Sequence, residues 1–117
     1  MSETALRVTL AYYRAWTSKD LEHAMTYIAD DVVCDAPAGR IVGAAAYRDF
    51  MSPFVQMLER AELIAAFGDD DTAVVMYDTD TIPVKGAPGA ECVTVKDGKI
   101  VASRFVFDRV PFQAAAK

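Results

Sequence analysis

Histidine and cysteine are scarce in this chain, with one of the former and two of the latter in 117 residues. Cys34 and Cys92 fall in separate strand-like segments without metal-ligand spacing, so no metal site is expected. Two reduced thiols fit a cytosolic protein. Basic clusters are missing too, and the formal net charge is −5. Neither nucleic acid nor an acidic membrane surface is therefore an expected partner. No apolar run approaches the ~18 residues that cross a bilayer. The opening MSETALRV lacks a basic segment followed by an apolar one, so it does not read as a secretory signal, and a cytoplasmic location is expected. Internal repeats are absent as well.

What is present fits one globular domain over residues 1–117, since 53% of the chain is hydrophobic and 25% charged. A core of this size is modest, so a homodimer would add useful burial. Glu3–Trp16 carries apolar residues at helical spacing: Leu6, Leu10 and Tyr13 beside Val8, Tyr12 and Trp16. Thr17–Asp20 is a tight joint, with Ser18 the expected N-cap of a second helix. There Leu21, Ala24, Met25 and Ile28 share one face, which puts His23 on the solvent side. Asp30–Asp31 leads into a strand, Val32–Ala36, that stops at Pro37. Asp35–Arg40 is a turn, and Ile41–Val42 a short return strand.

Gly43 opens a third helix with Tyr47, Phe50, Met51, Phe54, Met57 and Leu58 at helical spacing. Pro53 removes one backbone donor within it and is expected to kink it beside Met51 and Met57. From Glu62 onward the pattern is β. The segments are Glu62–Phe67, Thr72–Ile82, Ala90–Lys96 and Lys99–Asp108, and Asp97–Gly98 is a strong hairpin signal. The AAAK tail reads as frayed. Helices first and mostly antiparallel strands after give an α+β class.

Alternation assigns the strand faces. Glu91, Val93 and Val95 share the inward face, and Cys92, Thr94 and Lys96 the outward one. Ser103, Phe105 and Phe107 form one face of the last strand; Arg104, Val106 and Asp108 form the other. Thr72–Ile82 stays open. Either Val74, Met76, Asp78 and Asp80 point inward, or Val75, Tyr77, Thr79 and Thr81 do. The second choice buries no charge.

The order Trp16–Thr17–Asp20–Leu21, Asp30–Asp31, Pro37 and Gly98–Lys99 resembles the nuclear-transport-factor-2-like superfamily. That group holds ketosteroid isomerases, limonene epoxide hydrolases and SnoaL-like polyketide cyclases. The resemblance implies a curved sheet forming a cone, with three N-terminal helices over its concave face. Against ketosteroid isomerase, Tyr12 matches the oxyanion-binding tyrosine and Glu91 the protonated aspartic acid beside it. The catalytic base is replaced by Ala36, and Asp35 should face the other way. Against limonene epoxide hydrolase, Asp78 matches one catalytic aspartate and Phe105 stands at the other. Met76 replaces the arginine between them, and Cys34 and Ala36 replace the water-holding tyrosine and asparagine. That mechanism is therefore not expected, and His23 is badly placed for dehydratase chemistry. DDDTAVVMYDTDT followed by VTVKDGKIVASRFVFD is most similar to the SnoaL-like group.

Both alignments turn the Asp78 face inward and bring Asp78 and Glu91 together in an apolar cavity. Such a pair works as acid or base near neutral pH. Tyr12 would then donate to a carbonyl or enolate oxygen. Trp16, Cys34, Ala36, Met51, Phe54, Met57, Met76, Val93, Phe105 and Phe107 are the expected lining. The implied ligand is a hydrophobic, carbonyl-bearing small molecule, handled without a cofactor. The rival expectation is a non-catalytic binding or dimerisation module, and pocket polarity discriminates between the two.

Overall fold

The structure, a computed structural model, describes residues 3–115. Two helices open it, α1 (Thr4–Thr17) and α2 (Leu21–Met25). A hairpin of β1 (Ile28–Ala36) and β2 (Gly39–Val42) follows, then α3 (Ala44–Met57). The strands β3 (Leu58–Gly68), β4 (Thr72–Thr81), β5 (Ala87–Lys96) and β6 (Lys99–Phe107) lead to a short α4 (Val110–Ala115). The strand order is β2-β1-β6-β5-β4-β3. Every neighbouring pair is antiparallel except β1 with β6. Register shifts in the β1–β6, β3–β4 and β5–β6 ladders mark bulges, and bulges bend and twist a sheet. α1 packs on β3 to β6 and α3 on β1 and β2, so the helices cover one face.

The joint after α1 is built from backbone bonds. Lys19 takes a left-handed conformation, φ 67°. Its N–H reaches the Trp16 carbonyl, and the Asp20 N–H reaches that of Ala15. This is the Schellman termination, here with lysine in the place usually held by glycine. Asp20, not Ser18, caps α2: its Oδ1 accepts from the His23 N–H at 3.1 Å. The Ser18 hydroxyl is occupied with the Ala15 carbonyl, 2.9 Å away. The second helix is also shorter than expected. Ile28 already belongs to β1, buried beside the Ile100 strand position it pairs with.

At its other end α3 runs through Pro53 to Met57, and Leu58 starts β3 without a linker. The β5–β6 hairpin closes as expected at Asp97 (φ 52°) and Gly98 (φ 76°), the two positive φ values of a I′ turn. A short helix not expected from the sequence, α4, ends at Ala114 and Ala115 of the tail read as frayed, while Ala116 and Lys117 lie outside the described residues.

The open question of β4 is settled by burial. Ala73, Val75, Tyr77, Thr79 and Thr81 are buried, whereas Val74 and Met76 are each 45% exposed. The family registers that turned Asp78 inward are thus off by one position, and a one-residue slip exchanges the two faces of a strand. The cause is chemical: the Val75–Thr81 set enters the core without desolvating a carboxylate. On β5 and β6 the expected alternation holds, with Glu91, Val93, Val95, Ser103 and Phe105 buried and Cys92 exposed. Cys34 is buried, and both cysteines are free.

Asp20 is the side-chain N-cap of α2, so removing it tests the joint directly. Asp20→Ala is expected to cost about 1 kcal/mol of unfolding free energy. Urea denaturation would show a lower midpoint with an unchanged slope.

Candidate functional site

A cavity of about 220 Å³ opens between α3 and strands β4 to β6. α1 contributes Trp16 to its wall, and α3 contributes Phe50, Met51, Pro53, Phe54 and Met57. Phe105 and Phe107 line it from β6, and Phe112 of α4 from the side. Across from α3 stand Tyr77 and Thr79 of β4 and the Ala87–Gly89 stretch of β5. Gly89 is required here: a Cβ on it would come within 2.9 Å of the Tyr77 ring. The rings pack edge to face, Trp16 on Tyr77 at 5.3 Å and on Phe54 at 5.8 Å.

Both hydroxyls in this wall are already engaged. Thr79 donates to the Ala87 carbonyl at 3.3 Å. Tyr77 donates to Glu91 Oε1 at 3.2 Å. Glu91 itself lies behind the wall, 1% exposed, with the Ser103 hydroxyl 3.3 Å from its other oxygen. Burial drives its pKa up to about 8, against the opposing pull of those two hydrogen bonds. At neutral pH it is therefore mostly a neutral acid. Nearby, the hydroxyls of Tyr12 and Tyr47 bond to each other, both rings fully buried. Burial holds both phenols well above their ordinary pKa. Cys34, also desolvated, is pushed up to about 12 and is no nucleophile.

Of the expected lining, Trp16, Met51, Phe54, Met57, Phe105 and Phe107 meet at the cavity. Val93 and Cys34 are core residues and not part of its wall. Met76 is on the outer face, half exposed. Asp78 is outward as well, across from Glu62 on β3. It does not converge with Glu91. Tyr12 lies with Tyr47 behind the wall. Ala36 belongs to a separate shallow groove with Asp35, Arg40 and Arg104. There Arg40 donates to Asp35 at 2.9 Å and holds that carboxyl below its ordinary pKa. A carboxylate placed at Ala36 would therefore stand in that groove and not in the cavity. Sequence reasoning did not name Tyr77, Thr79, Gly89 or Phe112 as site residues. For Tyr77 and Thr79 the signal existed in the β4 alternation; for Phe112, beyond the last expected strand, none did.

Helices on one face of a bulged six-stranded sheet, enclosing an apolar cavity at one end, make this an α+β fold of the nuclear-transport-factor-2-like type. The SnoaL-like domain pattern matches residues 9–103, and the chain belongs to that family. A crystal structure from Kribbella flavida DSM 17836 is similar at 52% identity and TM-score 0.96, over 98% of this chain and 95% of that one. An NTF2-like protein from Cytophaga hutchinsonii ATCC 33406 shares the fold at TM-score 0.80 and 17% identity, over 97% of each chain. A steroid delta-isomerase from Pseudomonas aeruginosa does so at TM-score 0.80 and 15% identity, covering 99% of this chain and 88% of that one. No curated protein matches.

The raised pKa of Glu91 makes stability depend on pH. Below about pH 4.5 the carboxyl is protonated in both folded and unfolded chains. Between there and about pH 8 only the unfolded chain releases its proton, so stability falls as pH rises and levels off above. Glu91→Gln removes that term, keeping an oxygen to accept from one of the two hydroxyls and an amide N–H to donate to the other. Its stability relative to the parent should rise between pH 5 and pH 8.5 by on the order of 3 kcal/mol. Urea unfolding at both pH values checks it, and parallel pH profiles would mean that Glu91 is ionised in the fold.

Proposed function

We propose that this protein binds a small hydrophobic molecule in the Trp16–Phe54–Phe105 cavity and that binding, rather than proton transfer, is its activity. One observation carries this reading: the wall is carbon almost throughout, and the nearest carboxyl, Glu91, is sealed behind Tyr77. A general acid or base has to come within hydrogen-bond reach of its substrate, and Asp78 and Glu91 lie on opposite faces of the sheet. The volume favours a ligand smaller than a steroid. At about 220 Å³ it falls below the ~300–1,000 Å³ of drug-sized pockets. The Pseudomonas neighbour, a steroid delta-isomerase, supports a ligand site in this fold but transfers no steroid to this one. Proton transfer is the second reading. It is favoured by the 3.2 Å bond that links Glu91 to a cavity residue, Tyr77.

Calorimetric titration with a bicyclic aromatic such as 2-isopropylnaphthalene is expected to give saturable binding. Met57→Trp, which fills the cavity from α3, should weaken it at least about tenfold with unchanged circular dichroism. Failure of the parent to bind any such compound would remove the pocket reading.

A homodimer is the second part of the proposal. Two cross-strand rows on the outer face are apolar: Phe67, Val74 and Cys92 in one, and Ala65, Met76, Ala90 and Val106 in the other. Phe67 is 74% exposed and Val106 61%. Apolar surface of this kind on an uncovered sheet marks an interface. The charged side chains around it are paired within the chain, Arg40 and Arg104 with Asp35 and Arg60 with Glu62 and Asp80, which leaves the apolar rows as the part of the face without partners of its own. Light scattering should report a dimer at micromolar concentration, and Met76→Lys a folded monomer. A monomeric parent would exclude it.

A further inference from the structure

The cavity wall holds one side-chain donor with nothing to bond. Trp16 is fully buried, and its indole Nε1–H has no acceptor among the described residues. Buried donors are rarely left this way, because desolvation without a hydrogen bond is unfavourable. The neighbours offer no remedy. Trp16 is enclosed by the rings of Tyr13 at 5.3 Å, Tyr77 at 5.3 Å and Phe54 at 5.8 Å. The other two polar side chains of the wall are committed, Tyr77 to Glu91 and Thr79 to the Ala87 carbonyl. The Thr9 hydroxyl is also unpartnered, but Thr9 is not part of the cavity wall.

We propose that the molecule bound here carries a hydrogen-bond acceptor of the carbonyl type and that the Trp16 indole N–H is the donor that selects it. The inference rests on the pocket reading above and adds to it the chemical class of the ligand. An aromatic ketone fits both demands, a flat apolar body for the ring-lined wall and one oxygen for the indole. The N–H is sealed from solvent, so water does not compete for it. A ligand reaches it by displacing a neighbouring ring. Phe54 is the candidate, being only partly buried and adjacent to Pro53, where α3 lacks one backbone donor. A hydrocarbon of the same shape gains the apolar contacts but leaves the donor unpaired.

Trp16 is the chain's only tryptophan, so a ¹⁵N-labelled sample gives a single indole N–H resonance. The full chain is titrated with 2-acetylnaphthalene and with 2-isopropylnaphthalene, which match in shape and differ in the oxygen. The ketone is expected to bind about tenfold more tightly, the worth of one desolvated hydrogen bond. It should also move the indole proton downfield relative to the hydrocarbon complex, as a hydrogen bond to oxygen does. Trp16→Phe should abolish the preference for the ketone, so that the two compounds bind with equal affinity, whatever that affinity is. Equal affinities with coincident indole shifts would overturn the donor assignment and leave the pocket reading standing. If neither compound binds, both fall together. Should Trp16→Phe not fold, the two titrations of the parent still decide.

Discussion

Tyr77 on β4 and Ser103 on β6 both donate to Glu91 on β5, and this three-strand clasp sets the interior of the protein. A carboxyl without water is tolerated only when its oxygens are bonded or it keeps its proton; here both conditions apply. The clasp fixes which faces of three neighbouring strands point inward, since shifting any of them by one residue would break it. It also fixes the Tyr77 ring against Gly89 and so shapes one wall of the cavity. The apolar character of the cavity follows, because the polar atoms nearest to it are turned toward one another.

The same constraint commits the polar groups of the interior to one another. Tyr12 and Glu91 stand where the resemblance to ketosteroid isomerase implies an oxyanion site, and both are buried. Tyr12 is spent on Tyr47 and Glu91 on Tyr77 and Ser103. Rings from α3 and β6 pack beside them, with Phe105 tilted on Tyr47 at 6.3 Å and on Phe50 at 5.5 Å. The polar network lies behind the cavity, and the wall in front of it is aromatic.

Much of this was legible in the sequence, where periodicity is physical. The α1 stripe, the Asp97–Gly98 hairpin and the faces of β5 and β6 are strong patterns, and all appear as read. β4 was legible too, through the rule that burying Thr79 is easier than burying Asp78; alignment to distant relatives pointed the wrong way because a single step reverses a strand. Element ends were poorly marked. Ile28 and Leu58 fit a helical face as well as a strand, and only pairing with Ile100 and Thr81 makes them β. Six cavity residues were identified as apolar members of helices and strands. Phe112 was not, because a six-residue helix after the last strand has no periodicity to read. The joint cap went to Asp20 because the Ser18 hydroxyl turns back to the Ala15 carbonyl of α1, a local bond that no spacing rule reveals.

The one parallel contact in the sheet joins β1, near the start of the chain, to β6, near its end. Until β6 has been synthesised, β1 has only β2 beside it, and the sheet consists of two unconnected pieces. Contacts between distant segments are formed late and at a large cost in chain entropy. Before β6 docks, α3 can cover the β1–β2 piece and α1 the β3–β5 piece, and the sixth strand is what joins the two covered pieces into one core.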